Sequence, residues 1–155
     1  MSRQPKKRAR AKALKNHEEE AFLNVIQTAE ALMWGVAETL KPAGLTPTQY
    51  NILRILRGAG AEGVSCKEAA ERMVTKDSDV TRLLDRLEQQ HLIKRERHGQ
   101  DRRVVMTVIT DKGLKQLAQL DEPMKELHRR QLAHLGKQRL NSLAELLELA
   151  RAKTG

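Results

Sequence analysis

Aromatic residues are scarce in this chain of 155 residues, where they account for 2% of the composition. Phe22, Trp34 and Tyr50 are the only ones, so the core has to be built from aliphatic side chains, which favours helices. The single cysteine, Cys66, excludes an internal disulfide and fits a reducing compartment. No apolar run approaches the roughly 20 residues that cross a bilayer. These absences predict one compact domain in the cytoplasm.

The residue patterns of enzyme active sites are also missing. The sequence has no glycine-rich phosphate loop, no nucleophile elbow, and no histidine and carboxylate placed by pattern beside a serine or cysteine. His17, His128 and His134 are scattered, and their spacing is not that of metal ligands. We therefore expect neither catalysis, nor a metal site, nor a cofactor.

Positive charge is concentrated at the beginning of the chain. Residues 1–15 contain seven of the 29 Lys and Arg residues and no acid, while the net charge of the whole chain is +9. Like charges repel and there is little here to bury, so this segment is predicted to be a disordered tail. No apolar segment follows it, so it is not predicted to be a secretory signal. It is either an arm that contacts nucleic-acid phosphates or a solubilising end.

Capping residues and apolar periodicity predict a series of helices. Asn16 is expected to cap a first helix that ends near residues 41–44, with a buried apolar stripe at Phe22, Ile26, Ala29, Met33, Val36 and Leu40. Further caps are expected at Thr46 (with Gln49), Ser65 (with Glu68) and Thr110. A helix starting between Thr75 and Asp77 turns Val80, Leu83, Leu84 and Leu87 inward, and Pro123 is expected to kink the helix after Thr110. The last helix is predicted to bury Leu140, Leu143, Leu146, Leu147 and Ala150.

Residues 93–97 and 104–109 alternate or are β-branched, so they are predicted to be strands joined by a basic loop over residues 98–103. Two short helices, the second with a polar outer face, form a helix-turn-helix, and the strand pair beside it forms a wing. The predicted fold is therefore mostly α with a small two- or three-stranded antiparallel hairpin. It is a winged helix-turn-helix lobe over residues 45–113, flanked by dimerisation helices over 16–41 and 114–152. The flanking helices are expected to pack on a second copy of the chain.

The second helix of the helix-turn-helix presents side chains that suit a nucleic acid. Arginine donates two hydrogen bonds to guanine, hydroxyl groups bond bases or phosphates, and the amides at a helix start favour a phosphate. The expected DNA contacts here are Lys76, Ser78, Thr81, Arg82 and Arg86. The alternative interpretation is a solvated face whose arginines pair with Asp79 and Asp85. Lys94, Arg95 and Arg97 either line the DNA backbone or are simply exposed on their strand.

Several motifs in this region closely resemble the MarR family of bacterial transcription regulators. They are Val80-Thr-Arg-Leu-Leu-Asp-Arg-Leu87, Leu92-Ile93, Asp101-Arg102-Arg103 and Ile109-Thr110-Asp111-Lys112-Gly113. The resemblance covers residues 18 to 152. It departs from the family pattern at His91, where the family often has a glycine that leaves the helix in a left-handed conformation.

The resemblance implies a homodimer that binds an inverted-repeat site in double-stranded DNA, represses transcription, and is released by a small effector. It also implies that Arg103 enters the minor groove, that Asp101 orients it, and that Arg102 contacts a phosphate or the groove. Asp101 can instead form an ordinary surface salt bridge. A possible aromatic or other small effector is assigned to Met33, Trp34 and Tyr50, which can equally be core residues.

Three alternatives remain open from the sequence. Cys66 is either an oxidant-sensing thiol or a small residue packed near a turn. The whole protein is either an effector-released repressor or a ligand-independent accessory or architectural DNA-binding protein. In a third interpretation the helix-turn-helix docks on another protein and does not bind DNA.

Overall fold

The structure is a computed structural model that describes residues 16–97 and 103–154. Within these residues it has six α-helices and three strands, with a 3₁₀ turn after α1, α2 and α5. The elements in chain order are α1 His17–Leu40, α2 Pro47–Ala59, β1 Val64–Ser65, α3 Cys66–Arg72, α4 Val80–Gln89, β2 Ile93–Arg97, β3 Val105–Ile109, α5 Asp111–Leu132 and α6 Lys137–Ala152. The chain is thus a winged helix-turn-helix with additional helices at both ends.

The predicted caps form as hydrogen bonds. Asn16 accepts from the amide of Glu19, and Thr46 and Gln49 form a reciprocal capping box at the start of α2. Ser65 accepts from the amide of Glu68, and Thr110 accepts from that of Gly113. These bonds satisfy amides that a helix start leaves without partners, so each helix begins where its cap stands.

The sheet is antiparallel, with the strand order β1-β3-β2. Ile93 pairs with Ile109 and Arg97 with Val105, while the short β1 pairs Val64 with Thr107. A β-carbon on Gly63 would lie 2.3 Å from the carbonyl oxygen of Thr107, so glycine is needed where β1 meets β3. β3 begins one residue later than predicted, and β1 lies in the stretch that sequence patterning treated only as a helix start.

The core lies between α2, α4, α5 and the sheet. Its fully buried side chains are mainly aliphatic: Leu40, Ile52, Leu53, Leu56, Leu84, Leu87, Leu92, Ile93 and Leu117. One ion pair ties α2 to α5, with two bonds of 2.9 and 3.0 Å between the Arg57 guanidinium and the Asp121 carboxylate. The hydrogen bond from Arg57 lowers the pKa of Asp121, and the same bond raises the pKa of Arg57.

The apolar stripes of α1 and α6 were predicted to be buried, and within a single chain this prediction is wrong. In α1 only Leu40 is buried, and Phe22 and Ile26 are 61% and 51% exposed. In α6 no residue is buried, and Leu146 is 64% exposed. The apolar periodicity is real, but nothing within the described part of one chain covers these faces.

Two further predictions concerned helix geometry. The second helix of the helix-turn-helix begins at Val80, not between Thr75 and Asp77, because Asp79 is its cap and residues 73–79 form the turn. α5 runs from Asp111 to Leu132 with Pro123 inside it, and the kink expected at Pro123 stays a prediction. Among the described residues, no helix has the length and apolar character needed to cross a membrane.

Candidate nucleic-acid interface

The turn between α3 and α4 is held by local hydrogen bonds. The amide of Val74 donates to Oδ1 of Asn51 on α2 at 2.9 Å, which anchors the turn to the core. Asp77 accepts from the amide of Asp79, and Asp79 accepts from the amide of Arg82 at 3.0 Å. The start of α4 is therefore fixed by two acidic side chains, which use their carboxylates for capping.

α4 has sharply different faces. Leu83, Leu84 and Leu87 are between 0% and 8% exposed and pack on the core. Thr81, Arg82 and Arg86 are exposed, and so are Asp85 and Glu88. The three- and four-residue spacing keeps Arg82 and Arg86 on one side of the helix, where both can reach the same partner.

The structure brings only part of the predicted contact set together on α4. Arg82 and Arg86 border a shallow cavity of about 220 Å³, with Thr46 and Gln49 of the α2 start on its other side. Thr81 is exposed as well, although its hydroxyl also lies 3.9 Å from Sγ of Cys66 on α3. Lys76 and Ser78 are exposed but belong to the preceding turn, and Lys76 Nζ donates to the carbonyl of Glu71 at 3.4 Å.

The wing strands stand beside α4. β2 and β3 pair along five residues each, from Ile93 opposite Ile109 to Arg97 opposite Val105. Arg103 is exposed in the turn that precedes β3. Asp101 and Arg102 lie outside the described residues, so their predicted roles stay predictions.

The basic residues of β2 are not all available to a ligand. Lys94 pairs with Glu96, and Arg95 pairs with Asp85 of α4. These contacts therefore do not favour the expectation that Arg95 lines a DNA backbone. A signal was present in the sequence, because side chains two residues apart on a strand share a face and Ile93 is a core residue.

The end of α4 is docked on the start of α5. His91 leaves the helix with φ of 60°, the left-handed conformation usually taken by glycine. The Thr110 hydroxyl donates to the carbonyl of His91 at 2.7 Å, and Lys112 Nζ donates to that of Gln90 at 2.9 Å. A β-carbon on Gly113 would lie 2.4 Å from the carbonyl oxygen of Leu92, so glycine allows this close approach.

The three residues assigned to an effector do not converge. Tyr50 is 8% exposed in the core, with Arg54 over its ring at 5.9 Å. Trp34 is 69% exposed and lines an open groove of about 500 Å³ between α1 and α5, together with Gly35, Glu38, Arg130 and Gln131. Met33 is 39% exposed on α1. Of the three, Trp34 alone lines this groove.

The remaining candidate groups are a thiol and possible metal ligands. Cys66 is half-buried and lines a cavity of about 160 Å³ between α3, α4 and the sheet. In the parts of the chain that the structure describes, no three His, Cys, Asp or Glu side chains are grouped so that they could hold a metal ion.

Comparison with known proteins gives a consistent family. The model of the MarR family matches residues 45–105. The transcriptional repressor MdtR of Bacillus subtilis is 45% identical over 76 residues, which is 49% of this chain and 48% of MdtR, so the aligned stretch spans about half the length of that relative. The crystal structure of a MarR transcription factor from Planctomyces limnophilus is 38% identical and covers 90% of this chain and 99% of its own, with a TM-score of 0.67.

A third likeness is in fold alone. The crystal structure of a mutant MarR from E. coli, complexed with operator DNA, has a TM-score of 0.78 at 22% identity. It covers 89% of this chain and 98% of its own.

Proposed function

This chain belongs to the MarR family of transcription regulators, and on that premise we propose that it binds an inverted-repeat operator in double-stranded DNA as a homodimer and represses transcription. The observation that carries the proposal is the exposed side of α4, where Arg82 and Arg86 stand clear of the core beside the two wing strands. A helix of about 10 Å diameter fits the major groove, and its exposed arginines suit guanine edges.

The turn before α4 supplies the positioning contacts. Lys76 and Ser78 are exposed there, next to the first amides of α4. Contacts to phosphates fix the register of a protein on DNA without reading its sequence, whereas contacts to base edges read it. We therefore assign Lys76 and Ser78 to phosphates, and Thr81, Arg82 and Arg86 to the groove.

The wing is assigned to the flanking minor groove. Arg103 is exposed beside β3, and the family resemblance gives it the groove contact, with Asp101 and Arg102 as its neighbours in the wing. A narrow minor groove has a strongly negative potential that attracts an arginine side chain. Recognition helix and wing together then cover two adjacent grooves.

The exposed apolar faces of α1 and α6 support the proposed dimer. Phe22, Leu23, Val25 and Ile26 lie close together on α1, and each is between 46% and 61% exposed. Patches of this kind mark interaction surfaces. A two-fold axis through these helices places the two copies of α4 in successive major grooves, with half-site centres about 10 bp apart or a multiple of that.

Release by a small effector is the last part of the proposal. The open groove beside Trp34 lies between α1 and α5. At the start of α5, the side chains of Thr110 and Lys112 donate hydrogen bonds to backbone carbonyls at the end of α4. The dimer is proposed to have two states, which differ in the spacing of their recognition helices. A ligand shifts DNA affinity only to the extent that it binds one of these states more tightly than the other.

Selection of genomic fragments by the purified protein, followed by sequencing, tests the proposal. We expect an inverted repeat, bound much more tightly than random DNA of equal length. Arg103→Ala should weaken operator binding about tenfold with an unchanged melting temperature. Lys41→Ala, in the turn after α1, serves as the control and should bind like wild type, because its side chain is exposed and lies outside the proposed interface.

Two other results would reject the proposal. Equal affinity for the repeat and for random DNA would favour an accessory or architectural protein that uses its basic tail. Absence of any salt-dependent binding would favour a protein-docking role, because neutralising each phosphate contributes about −0.9 to the slope of log affinity against log salt.

A further inference from the structure

An ion pair links the recognition helix to the wing. Arg95 of β2 donates from Nη2 to Oδ1 of Asp85 on α4 at 2.5 Å. Arg72 pairs with Glu68 within α3, and Lys94 pairs with Glu96 within β2. The Asp85–Arg95 pair therefore connects the two structural parts that the proposed function assigns to adjacent grooves.

Arg95 is turned toward the protein and not toward solvent. Its side chain is 27% exposed, and its Nε is buried without a hydrogen-bond acceptor among the described residues. It lines the cavity beneath α4 together with Cys66, Thr81, Leu84, Val105 and Thr107. Its bond to Asp85 and its low exposure limit how far this guanidinium can reach toward a phosphate backbone.

Asp85 is unusual for its place. It lies between Arg82 and Arg86 on the exposed side of α4, where a carboxylate repels DNA phosphates. Neutralising an acid on such a surface ordinarily raises DNA affinity. The pair is partly exposed on its Asp85 side, so solvent screening limits its contribution to folding stability.

We propose that Asp85 and Arg95 are positioning residues that fix the angle between the recognition helix and the wing, so that the arginines of both parts reach their grooves together. The inference rests on the proposed function. Without the pair, α4 and the wing remain folded but lose their common register on DNA. Because positioning matters for the operator only, binding to random DNA should be largely independent of it.

Asp85→Asn is the decisive variant, because positioning and simple electrostatics predict opposite signs. We expect operator affinity to fall about tenfold, comparable to loss of one bidentate base contact, with random-DNA affinity unchanged or slightly higher. Arg95→Gln should produce the same loss, an unchanged salt slope, and no further loss when combined with Asp85→Asn. The melting temperature should stay within about 2 °C of wild type.

Glu88→Gln is the matched control. Glu88 is exposed one turn further along α4, and the described residues give it no ion pair. Its neutralisation should leave operator affinity equal or slightly higher.

Three outcomes separate the possibilities. If Asp85→Asn strengthens operator binding as Glu88→Gln does, the positioning role is wrong. If Arg95→Gln weakens binding to operator and random DNA alike and lowers the salt slope by about one unit, Arg95 is a phosphate contact instead. If the wild-type protein shows no preference for any site, the proposed function itself fails, a result distinct from both.

Discussion

The winged-helix lobe buries its apolar side chains, whereas the two end helices, α1 and α6, leave many of theirs exposed. In the lobe, Leu53, Leu84 and Leu87 are at most 1% exposed within one chain. On α1 and α6, Phe22 and Leu149 are 61% and 69% exposed. The lobe therefore completes its core alone, whereas the end helices carry an apolar pattern that needs a second surface.

Placing a carboxylate on each exposed apolar face should break the pairing of two copies. In the double variant Phe22→Glu, Leu146→Glu, dimer formation would bury unpaired charges, which costs several kcal/mol each. We expect a monomer by analytical ultracentrifugation, an intact lobe by circular dichroism, and operator affinity reduced at least about 100-fold.

The matched control places the same charges on the opposite faces of the same helices. Asn24→Glu with Asn141→Glu does so, since both positions are exposed and lie away from the apolar stripe by helical periodicity. This variant should remain dimeric. A dimeric Phe22→Glu, Leu146→Glu protein would show that the exposed faces have another use.

The self-sufficiency of the lobe can be tested in that monomeric variant. Leu53→Ala removes a side chain that is 0% exposed, so the free energy of unfolding in urea should fall by about 3 kcal/mol. Leu149→Ala removes a side chain that is 69% exposed and should change the free energy of unfolding by less than about 0.5 kcal/mol. Similar losses for the two variants would mean that α6 packs on its own chain.

The same contrast explains how far the sequence could predict the structure. The caps at Thr46, Ser65 and Thr110 are local hydrogen-bonding patterns, and all three are confirmed. Apolar periodicity located α1 and α6 as helices, but periodicity says which face is apolar and not what covers it. The predicted burial of Ile26 and Leu146 was therefore wrong for the single chain.

In the candidate site, too, features set by local sequence spacing were easier to predict than features set by tertiary packing. The outward positions of Thr81, Arg82 and Arg86 follow from helical spacing and are seen. Strand alternation places Arg95 on the same face as the buried Ile93, but its pairing with Asp85 also depends on how β2 lies against α4, which is a tertiary relation. The late start of α4 has a local cause, because Asp79 competes with earlier residues as the cap.

A third prediction concerns the one left-handed non-glycine residue among those described. His91 has φ of 60° and its side chain is exposed. His91→Gly removes the strain of a β-carbon there, a cost of about 1–2 kcal/mol that is partly offset by the greater freedom of glycine when unfolded. Chemical denaturation should show about 0.5–1 kcal/mol of added stability for the lobe.

Its neighbour supplies a control of opposite sign. Gln90 has φ of −82°, an ordinary value, so Gln90→Gly should lower the free energy of unfolding by about 0.5–1 kcal/mol. Stabilisation by both changes, or by neither, would contradict the assignment of strain to His91.

The smallest expected effect lies at the junction between the lobe and α5, where Arg57 holds Asp121. The hydrogen bond lowers the pKa of Asp121 below its ordinary value of 3.8. A depressed carboxyl pKa stabilises the fold above the unfolded value, and this contribution is lost as the pH falls through the folded value. The Asp121 side chain is 47% exposed, so solvent screening limits the effect of Asp121→Asn to less than about 1 kcal/mol at pH 7.

The pH dependence distinguishes this pair from other surface charges on α5. Below the folded pKa of Asp121 its carboxyl is neutral in both states, so wild type and Asp121→Asn should converge in stability as the pH falls below about 3.8. Glu122→Gln is the control, because Glu122 pairs at 3.9 Å only with Lys125 of its own helix and joins no two elements. Its effect at pH 7 should be smaller than that of Asp121→Asn, since the Arg57–Asp121 pair has two hydrogen bonds and spans α2 and α5. Equal effects at the two positions would mean that the junction depends on its apolar contacts alone.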